Sequence, residues 1–476
     1  MNILYVASEV VPFCKTGGLA DVAGSLPNAL AQAGENVAVI LPYYKKVHEK
    51  FGGQFQFKGY DYIQLSWRHA YCGLFKYEMN GVKYYLIDNE YYFGRDNLYG
   101  YDDDPERFAF FCRAVISMLR NLDDMPDVIN FNDWQGSMIP GYLKMDAFND
   151  ESLRDIKTVL TIHNIEYQGK TGLSDKADVL GISGTCVDYG QYEQDGCVNL
   201  LKGAIVLADA ITTVSPTYAQ ELLTPAFGQG LEGILEHFEY KMYGVLNGID
   251  TVRYNPETDA LLSANFTADT LKNRQENKAA LQVALGLEVN PDIPVIGMVS
   301  RMVSHKGLDL VEEAFEGLMD MGVQVAILGQ GDARYEEFYK GWAAARPYQV
   351  GLTIGYSDAL AMSIYGGADL FLMPSKSEPC GLSQMIAMRY GCVPIVHEVG
   401  GLADTVTAYQ HGTDIGNGFS FGAYNSHDMY NVVKEAVGLW KDYNEEFTAI
   451  IKRDMAGDFT WDKSAQEYIR IFESLN

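Results

Sequence analysis

Three short stretches of this chain place cations, glycines and a carboxylate where an apolar, strand-like run gives way to a helical one. The first is Lys15-Thr16-Gly17-Gly18-Leu19-Ala20-Asp21. It follows the strand-like Asn2-Ile3-Leu4-Tyr5-Val6-Ala7 and a loop, and from Leu19 the apolar spacing is helical through Val22, Ala23, Leu26 and Leu30. Glycines let a backbone approach a ligand closely. The free N–H groups and dipole of a helix start favour anions. The loop therefore points to a phosphate-bearing ligand. It is neither a Walker loop nor a GxGxxG fingerprint, and a tight turn with a solvated lysine satisfies the same residues.

The second stretch is Ser300-Arg301-Met302-Val303-Ser304-His305-Lys306-Gly307-Leu308-Asp309. A strand delivers Arg301, and Lys306-Gly307 opens a helix carrying Leu308, Val311 and Phe315. Arginine offers a planar fork of donors to phosphate oxygens and lysine a compact charge. A solvated pair, or a salt bridge to Glu312 or Glu313, is the competing reading. The third stretch is Pro374-Ser375-Lys376-Ser377-Glu378-Pro379-Cys380-Gly381-Leu382-Ser383, between a strand and a helix over 382–390. Glu378 could accept hydrogen bonds from sugar hydroxyls, and the amides after it could hold phosphate. Alternatively it only favours the helix start through the dipole.

The elements that position these loops follow one rhythm. Strand-like runs at 37–41, 128–131, 158–162 and 211–214 each end in a small or polar residue before a helical pattern. The last ends in Ser215-Pro216, an N-cap followed by proline at the first helical position. After residue 244 the series restarts at 295–299, 323–328, 352–354 and 370–373. Alternation of this kind predicts α/β architecture with doubly wound parallel sheets, whose ligands bind outside the carboxyl ends of the strands. We expect two Rossmann-like domains, residues 1–243 and 244–458, facing each other across a cleft. An antiparallel-looking stretch over 55–92, turning at Gly81, reads as a hairpin inserted in the first.

Composition narrows the partners. The 476 residues are 47% hydrophobic and 21% charged, as in a globular protein, and length alone predicts two to three domains. Sixty-three acidic against 36 basic residues leave a net charge of −27. Such a surface repels nucleic acid and anionic membranes, so an anionic substrate needs a local basic pocket, whereas a neutral sugar meets no barrier. Seven scattered cysteines, an odd number without a CxxC, read as free thiols in a reducing cytoplasm. A strand from residue 2 leaves no room for a signal peptide, and no apolar stretch is long enough to span a bilayer. Histidines and cysteines show no tetrahedral-metal spacing.

Taken together, KTGGLADV at 15–22, DW at 133–134, TIHNIEYQG at 161–169, VSPTYAQE at 214–221, VLNGID at 245–250, VSRMVSHKGLDL at 299–310, PSKSEPCGLSQM at 374–385 and GGLADTV at 400–406 resemble bacterial glycogen synthase. This is the starch-synthase-like family of retaining glucosyltransferases, and the likeness runs from the first strand to Phe459-Thr460-Trp461. It implies a GT-B fold with a last helix, about 459–476, crossing back to the first domain. It also implies transfer of glucose from ADP-glucose to the non-reducing end of an α-1,4-glucan, with neither metal nor cofactor. By the resemblance, Lys15, Gly17 and Gly18 contact the donor diphosphate, and Arg301 and Lys306 hold it from the second domain. Glu378 binds the transferred glucose, and His163 meets it near the reacting carbon. Asp133 lines the pocket, Tyr356 stacks on the nucleotide base, and Gly329, Cys380, Gly381 and Leu382 border the donor. The family's mechanism is drawn as front-face attack, the leaving phosphate taking the acceptor's proton.

The chain departs from the family where many members carry His-x-His-Asp-Trp-His. Here the run is Asn130-Phe131-Asn132-Asp133-Trp134-Gln135, which removes any imidazole role there. His305 replaces a residue that is often glutamine and reads as a solvent-side neighbour of Lys306. Asp102-Asp103-Asp104 reads as an N-cap with an acidic first turn rather than a DxD metal site. Gly329-Gln330-Gly331 is a lone GxG, and Trp134 reads as core packing. Tyr91, Tyr92, Tyr99 and Tyr101 could form a glucan platform or pack inward. Two rivals remain: another nucleotide-sugar transferase of sucrose-synthase type, and a glucan-binding protein without turnover. An NAD-dependent dehydrogenase lacks its fingerprint.

Overall fold

The computed structural model describes residues 1–475 and divides into two compact units. The first comprises Met1–Asn247 and the chain from Trp461 onward, the second Gly248–Thr460. The first unit contains β1 (Asn2–Val6), β2 (Asn36–Pro42), β3 (Gln56–Leu65), β4 (Arg68–Met79), β5 (Val82–Asp88), β6 (Val128–Asn132), β7 (Lys157–Ile162), β8 (Lys170–Thr171), β9 (Glu193–Gln194), β10 (Cys197–Asn199), β11 (Ala210–Thr213) and β12 (Met242–Gly244). Nine of these form one sheet in the order β12-β11-β7-β6-β1-β2-β5-β4-β3, and β8-β10-β9 form a small separate one. Pairing is parallel from β12 to β5 and antiparallel through β4 and β3. The central strands are buried almost throughout. That is the mark of a sheet covered on both faces, and it is why they read as continuous apolar runs.

Two expectations for this unit change. The stretch over 55–92 is not a separate insertion, because β5 joins β2 in parallel and carries β4 and β3 into the main sheet. Asn80 and Gly81, with φ of 54° and 80°, make the two-residue turn between β4 and β5. The boundary lies at 247/248 rather than 243/244. Met242–Gly244 pairs with β11, and the Val245 N–H donates to the Thr213 carbonyl at 2.8 Å, so this segment completes the first sheet. The C-terminal helix Asp462–Glu473 buries Ala465, Tyr468, Ile469 and Phe472, one stripe of a 3.6-residue period. It packs on the helix Gly18–Gln32.

The second unit contains β13 (Val295–Val299), β14 (Gln324–Gly329), β15 (Val350–Ile354), β16 (Leu370–Met373), β17 (Val393–His397) and β18 (Phe419–Phe421). They form one all-parallel sheet in the order β15-β14-β13-β16-β17-β18. Its core joins Phe315 and Leu318 of the helix Leu308–Asp320 to strand residues Val325, Leu370 and Val393 and to Met429 and Val433 of the helix Ser426–Asp442.

Both sheets have a switch point, where successive connections run to opposite sides. In the first it lies between β1 and β6, in the second between β13 and β16. Crevices at the carboxyl ends of strands flanking such points are where open α/β sheets bind ligands. The Lys15 loop follows β1 and Asp133 follows β6; Arg301 follows β13 and the Glu378 loop follows β16.

Candidate active site

In the second unit the chain leaves β13 at Ser300-Arg301, turns through Ser304–Lys306, and enters the helix Leu308–Asp320 at Gly307. Gly307 has φ 72°, and a Cβ there would lie 1.8 Å from the Pro374 carbonyl oxygen. Glycine is therefore what lets this turn sit against the loop after β16. The Lys376 N–H donates to the His305 carbonyl at 2.9 Å and ties the same two loops together. The result is a close ion pair 72 residues apart in sequence: Lys306 Nζ lies 2.6 Å from Glu378 Oε2. The Ser375 hydroxyl donates to that same oxygen at 2.9 Å.

The Glu378 loop is held from behind by the glycines of GGLADTV. The Gly401 N–H donates to the Glu378 and Pro379 carbonyls, each at 3.2 Å. A Cβ on Gly400 would lie 2.1 Å from the Glu378 carbonyl oxygen, and one on Gly401 2.0 Å from that of Cys380. His397 Nδ1 makes a 2.8 Å hydrogen bond with the Ser375 carbonyl, which accepts and so assigns the proton to Nδ1. Arg301, Lys306, Ser375, Glu378, Gly381 and Leu382 share the lining of a cavity of about 190 Å³. Cys380 is buried beside it. Gly329 ends β14, where a Cβ would meet the Ser300 carbonyl at 2.1 Å; its part is to let two strand ends approach. Tyr356 follows β15, 70% exposed, its hydroxyl bonded to Asp358.

In the first unit Asp133 follows β6 with φ 52° and ψ −168°. Non-glycine residues adopt such a conformation only where their surroundings enforce it. The enforcement is visible: the Asp133 N–H donates to the Thr161 carbonyl at 2.9 Å. Its Oδ1 accepts from the backbone N–H of His163 at 2.7 Å. Burial pushes the Asp133 carboxyl up to about 7 against the pull of those amides, and pushes the His163 imidazole down to about 3. His163 Nε2 lies 2.8 Å from Asn132 Oδ1. Asn132 Nδ2 is committed to the Val6 carbonyl at 2.8 Å, so its oxygen faces the ring and Nε2 carries the proton. The asparagines that stand where many relatives have histidine are thus structural. Asn130 likewise bonds the Val159 carbonyl and the Thr161 hydroxyl of β7.

Lys15 Nζ pairs with Asp21 at 2.7 Å. Glu9, 3% exposed, takes both the N–H and the hydroxyl of Thr16. Glu9 was not among the residues the sequence singled out; its signal was a carboxylate lodged in the apolar run 6–13.

Several alternatives resolve. Lys306 pairs with Glu378 and Glu312 with Arg334, so the bridge to 312 or 313 does not form. The helix after Glu378 begins only at Ser383, five residues on, which removes the dipole reading. Asp103 makes no side-chain cap. It pairs with Arg95, and Asp104 with buried Arg107, because those guanidiniums need carboxylates more than the helix start does. Ser215 does cap its helix, accepting the Tyr218 N–H at 3.0 Å. Trp134 is buried against Phe108. Tyr92 is buried, Tyr91 is 71% exposed, and Tyr99 bonds Ser8 at 2.7 Å, so the four tyrosines make no common platform. Tyr101 instead joins Trp134, Glu166 and Tyr167 along an open groove of about 520 Å³.

Residues 2–237 match the family described as "Starch synthase catalytic domain", and residues 286–448 match "Glycosyl transferases group 1". A glycogen synthase from Bacillus cereus (strain Q1) is 45% identical over 476 residues, covering all of both chains. One from Alkaliphilus metalliredigens (strain QYMF) is 44% identical over 475 residues, again covering all of both. The chain belongs to the glycogen synthase family. It is a glycosyltransferase, and its fold is GT-B, with two Rossmann-like domains. The catalytic domain of starch synthase IV from Arabidopsis thaliana, solved bound to ADP and acarbose, superposes with a TM-score of 0.88 at 31% identity, covering 99% of each chain. A sucrose-phosphate synthase from Thermosynechococcus elongatus superposes at 0.60 with 15% identity, covering 100% of this chain and 98% of that one. That second likeness carries the fold alone, so it lends nothing to a sucrose-type activity. Among the described residues no helix is long and apolar enough to cross a membrane, and all seven cysteines are free.

Proposed function

We propose that this glycogen synthase family member transfers glucose, with retention, from ADP-glucose to the non-reducing end of an α-1,4-glucan in the cytoplasm. The observation that carries the reading is the cavity at the second switch point. In a chain of net charge −27, Arg301, Lys306 and Glu378 converge there on a space of about 190 Å³.

The acceptor's 4-hydroxyl oxygen forms the new bond to glucose C1 as the bond from C1 to the diphosphate oxygen breaks. Negative charge builds on the departing ADP, and the acceptor's proton passes to its phosphate oxygen. Arg301 and Lys306 stabilise that charge; preorganised contacts of this kind are worth about 10²–10³ in rate each. In the first unit, Lys15 and the Gly18 amide are donors suited to a diphosphate. The positive charge that a metal would supply comes from these side chains, so neither metal nor cofactor is assigned a part. Glu378 accepts from the sugar hydroxyls. Its oxygen is already engaged by Lys306 and Ser375, which suits a positioned acceptor better than a nucleophile. In the first unit His163, neutral and with its ring fixed by Asn132, is suited to a sugar hydroxyl, and Asp133 holds the His163 backbone. Tyr356 offers an exposed face to the base. The groove beside Trp134 and Tyr167 suits a neutral glucan.

The test is nucleoside diphosphate release from ADP-glucose and UDP-glucose, with and without glycogen, in EDTA. Fast glycogen-dependent ADP release is the expected result. Preference for UDP-glucose would keep the chemistry and change the donor. Silence with both donors, with glycogen still bound, would overturn the reading in favour of a binding protein.

A further inference from the structure

The loop between β1 and the helix Gly18–Gln32 has its amides sorted. Glu9 is a carboxylate only 3% exposed, with buried apolar residues on either side of it in the chain: Val6, Ala7, Val10 and Phe13. One oxygen takes the Thr16 N–H and, at 2.7 Å, the Thr16 hydroxyl. Both donors of Thr16 therefore converge on one buried oxygen inside the protein. They include an amide that a phosphate would otherwise take.

The neighbouring residue is placed the other way. Gly18 is the first residue of the helix, which has no side-chain cap. A Cβ built on Gly18 meets nothing within 4 Å, whereas one on Gly17 faces Glu9 Oε1 at 3.5 Å. The space beside Gly18 is open, and the first N–H groups of a helix have no partner within it. Glycine at 17 suits a backbone drawn down onto a carboxylate; glycine at 18 leaves room for a ligand.

We propose that Glu9 is a positioning residue for the donor diphosphate: by holding Thr16 inward, it turns the Gly18 amide and Lys15 toward the ligand. This deepens the reading that the loop meets a nucleoside diphosphate, and rests on it. The charged acceptor matters because carboxylate-to-amide bonds are shorter and stronger than neutral ones. A glutamine there would keep an oxygen for Thr16 but lose the charge that strengthens both bonds, and would set an NH2 against Gly17 in place of Oε1.

The experiment measures ADP binding by calorimetry, glycogen affinity, the steady-state constants for ADP-glucose and the melting temperature, for wild type, Glu9→Gln and Thr16→Val. Expected for Glu9→Gln is an ADP Kd at least about tenfold weaker, with a matching rise in donor KM and unchanged glycogen affinity. Thr16→Val, which deletes one of the two donors and keeps the amide, should lose about two- to fivefold. An ADP Kd within twofold of wild type in a folded Glu9→Gln protein overturns the assignment. So does an equal loss of ADP and glycogen affinity, which marks general damage. If Glu9→Gln does not fold, an unchanged ADP Kd in Thr16→Val overturns it instead. Wild-type protein that binds no ADP would sink the underlying reading as well, and so separates the two failures.

Discussion

Lys306 and Glu378 offer the sharpest test, because they are joined to each other as well as proposed to meet the donor. Their side chains are 17% and 10% exposed and their charged atoms lie 2.6 Å apart. At an effective dielectric constant of about 20 the Coulomb attraction over that distance is about 6 kcal/mol, before desolvation is subtracted. Removing one partner of a buried pair costs about 3–5 kcal/mol, because the other charge stays behind uncompensated. Lys306→Met leaves Glu378 with the Ser375 hydroxyl alone; Glu378→Gln leaves the ammonium facing a neutral amide. A loss of about 3 kcal/mol lowers the melting temperature of a domain of this size by roughly 6–12 °C. The double variant, carrying neither charge of the pair, should be more stable than the sum of the singles by at least about 2 kcal/mol. Activity should behave in the opposite way. Each single loses about 10²–10³ in glycogen-dependent ADP release, and the double recovers none of it. Calorimetric melting of all four proteins beside turnover makes the cycle. Additive melting shifts would refute the pair as an energetic unit, and turnover near normal in either single would refute its role at the donor.

Tyr356→Ala should raise donor KM about fivefold or more with kcat preserved, since an aromatic face under a base is worth about 1–3 kcal/mol; Tyr356→Phe should match wild type, because the hydroxyl is spent on Asp358. Gly307→Ala should lower the melting temperature by several degrees and turnover by at least about tenfold, since φ 72° alone costs about 1–2 kcal/mol and the new Cβ meets Pro374. An unchanged melt would show that the turn is free to move. Asp133 and His163 set opposite pH dependences. Asp133, raised from 3.8 to about 7, lends stability that is whole below 3.8 and lost as pH rises through 7; Asp133→Asn should gain on wild type between pH 5 and 8. His163, lowered from 6.5 to about 3, lends stability that is present above 6.5 and lost as pH falls toward 3; His163→Gln should gain on wild type in acid, and a flat comparison in pH-dependent melting would contradict either assignment.

Much of this architecture was legible because parallel strands buried on both faces leave unmistakable apolar runs; β13 and β16 have the bounds their residues imply. What periodicity does not carry is pairing. The turn at Gly81 was plain, but nothing in residues 82–88 says that this strand lies parallel to one forty residues earlier. Lys306 and Glu378 were each visible as chemistry at a strand end, yet their bond depends on the Gly307–Pro374 approach and the Lys376–His305 backbone bond that bring distant loops together. The glycines of GGLADTV were visible as a motif without a task; their task is to admit the backbone of the Glu378 loop. Glu9 escaped notice for the opposite reason. A glutamate in a loop is read as solvated, and only the convergence of both Thr16 donors shows why it is buried.

In each unit, a carboxylate lies at the strand–helix loop of the switch point, next to a lysine: Glu9 by Lys15, Glu378 by Lys306. The two carboxylates are used differently. Glu9 takes backbone donors and leaves Lys15 to Asp21, a pair whose lysine is 37% exposed and hence worth little. Glu378 takes Lys306 itself, in a confined space where the pair is strong. A phosphate arriving at Lys15 therefore displaces almost nothing, whereas one arriving at Lys306 must share the ammonium with a bound carboxylate. That sharing has a use. An ammonium has three donors, enough to keep Glu378 in place for the sugar while meeting the phosphate, and the sugar and its leaving group are attached to one another. A ligand bringing both relieves the crowding that a lone anion would suffer beside Glu378. The geometry thus favours an intact sugar diphosphate over free phosphate, and it does so through a carboxylate that touches no phosphate at all.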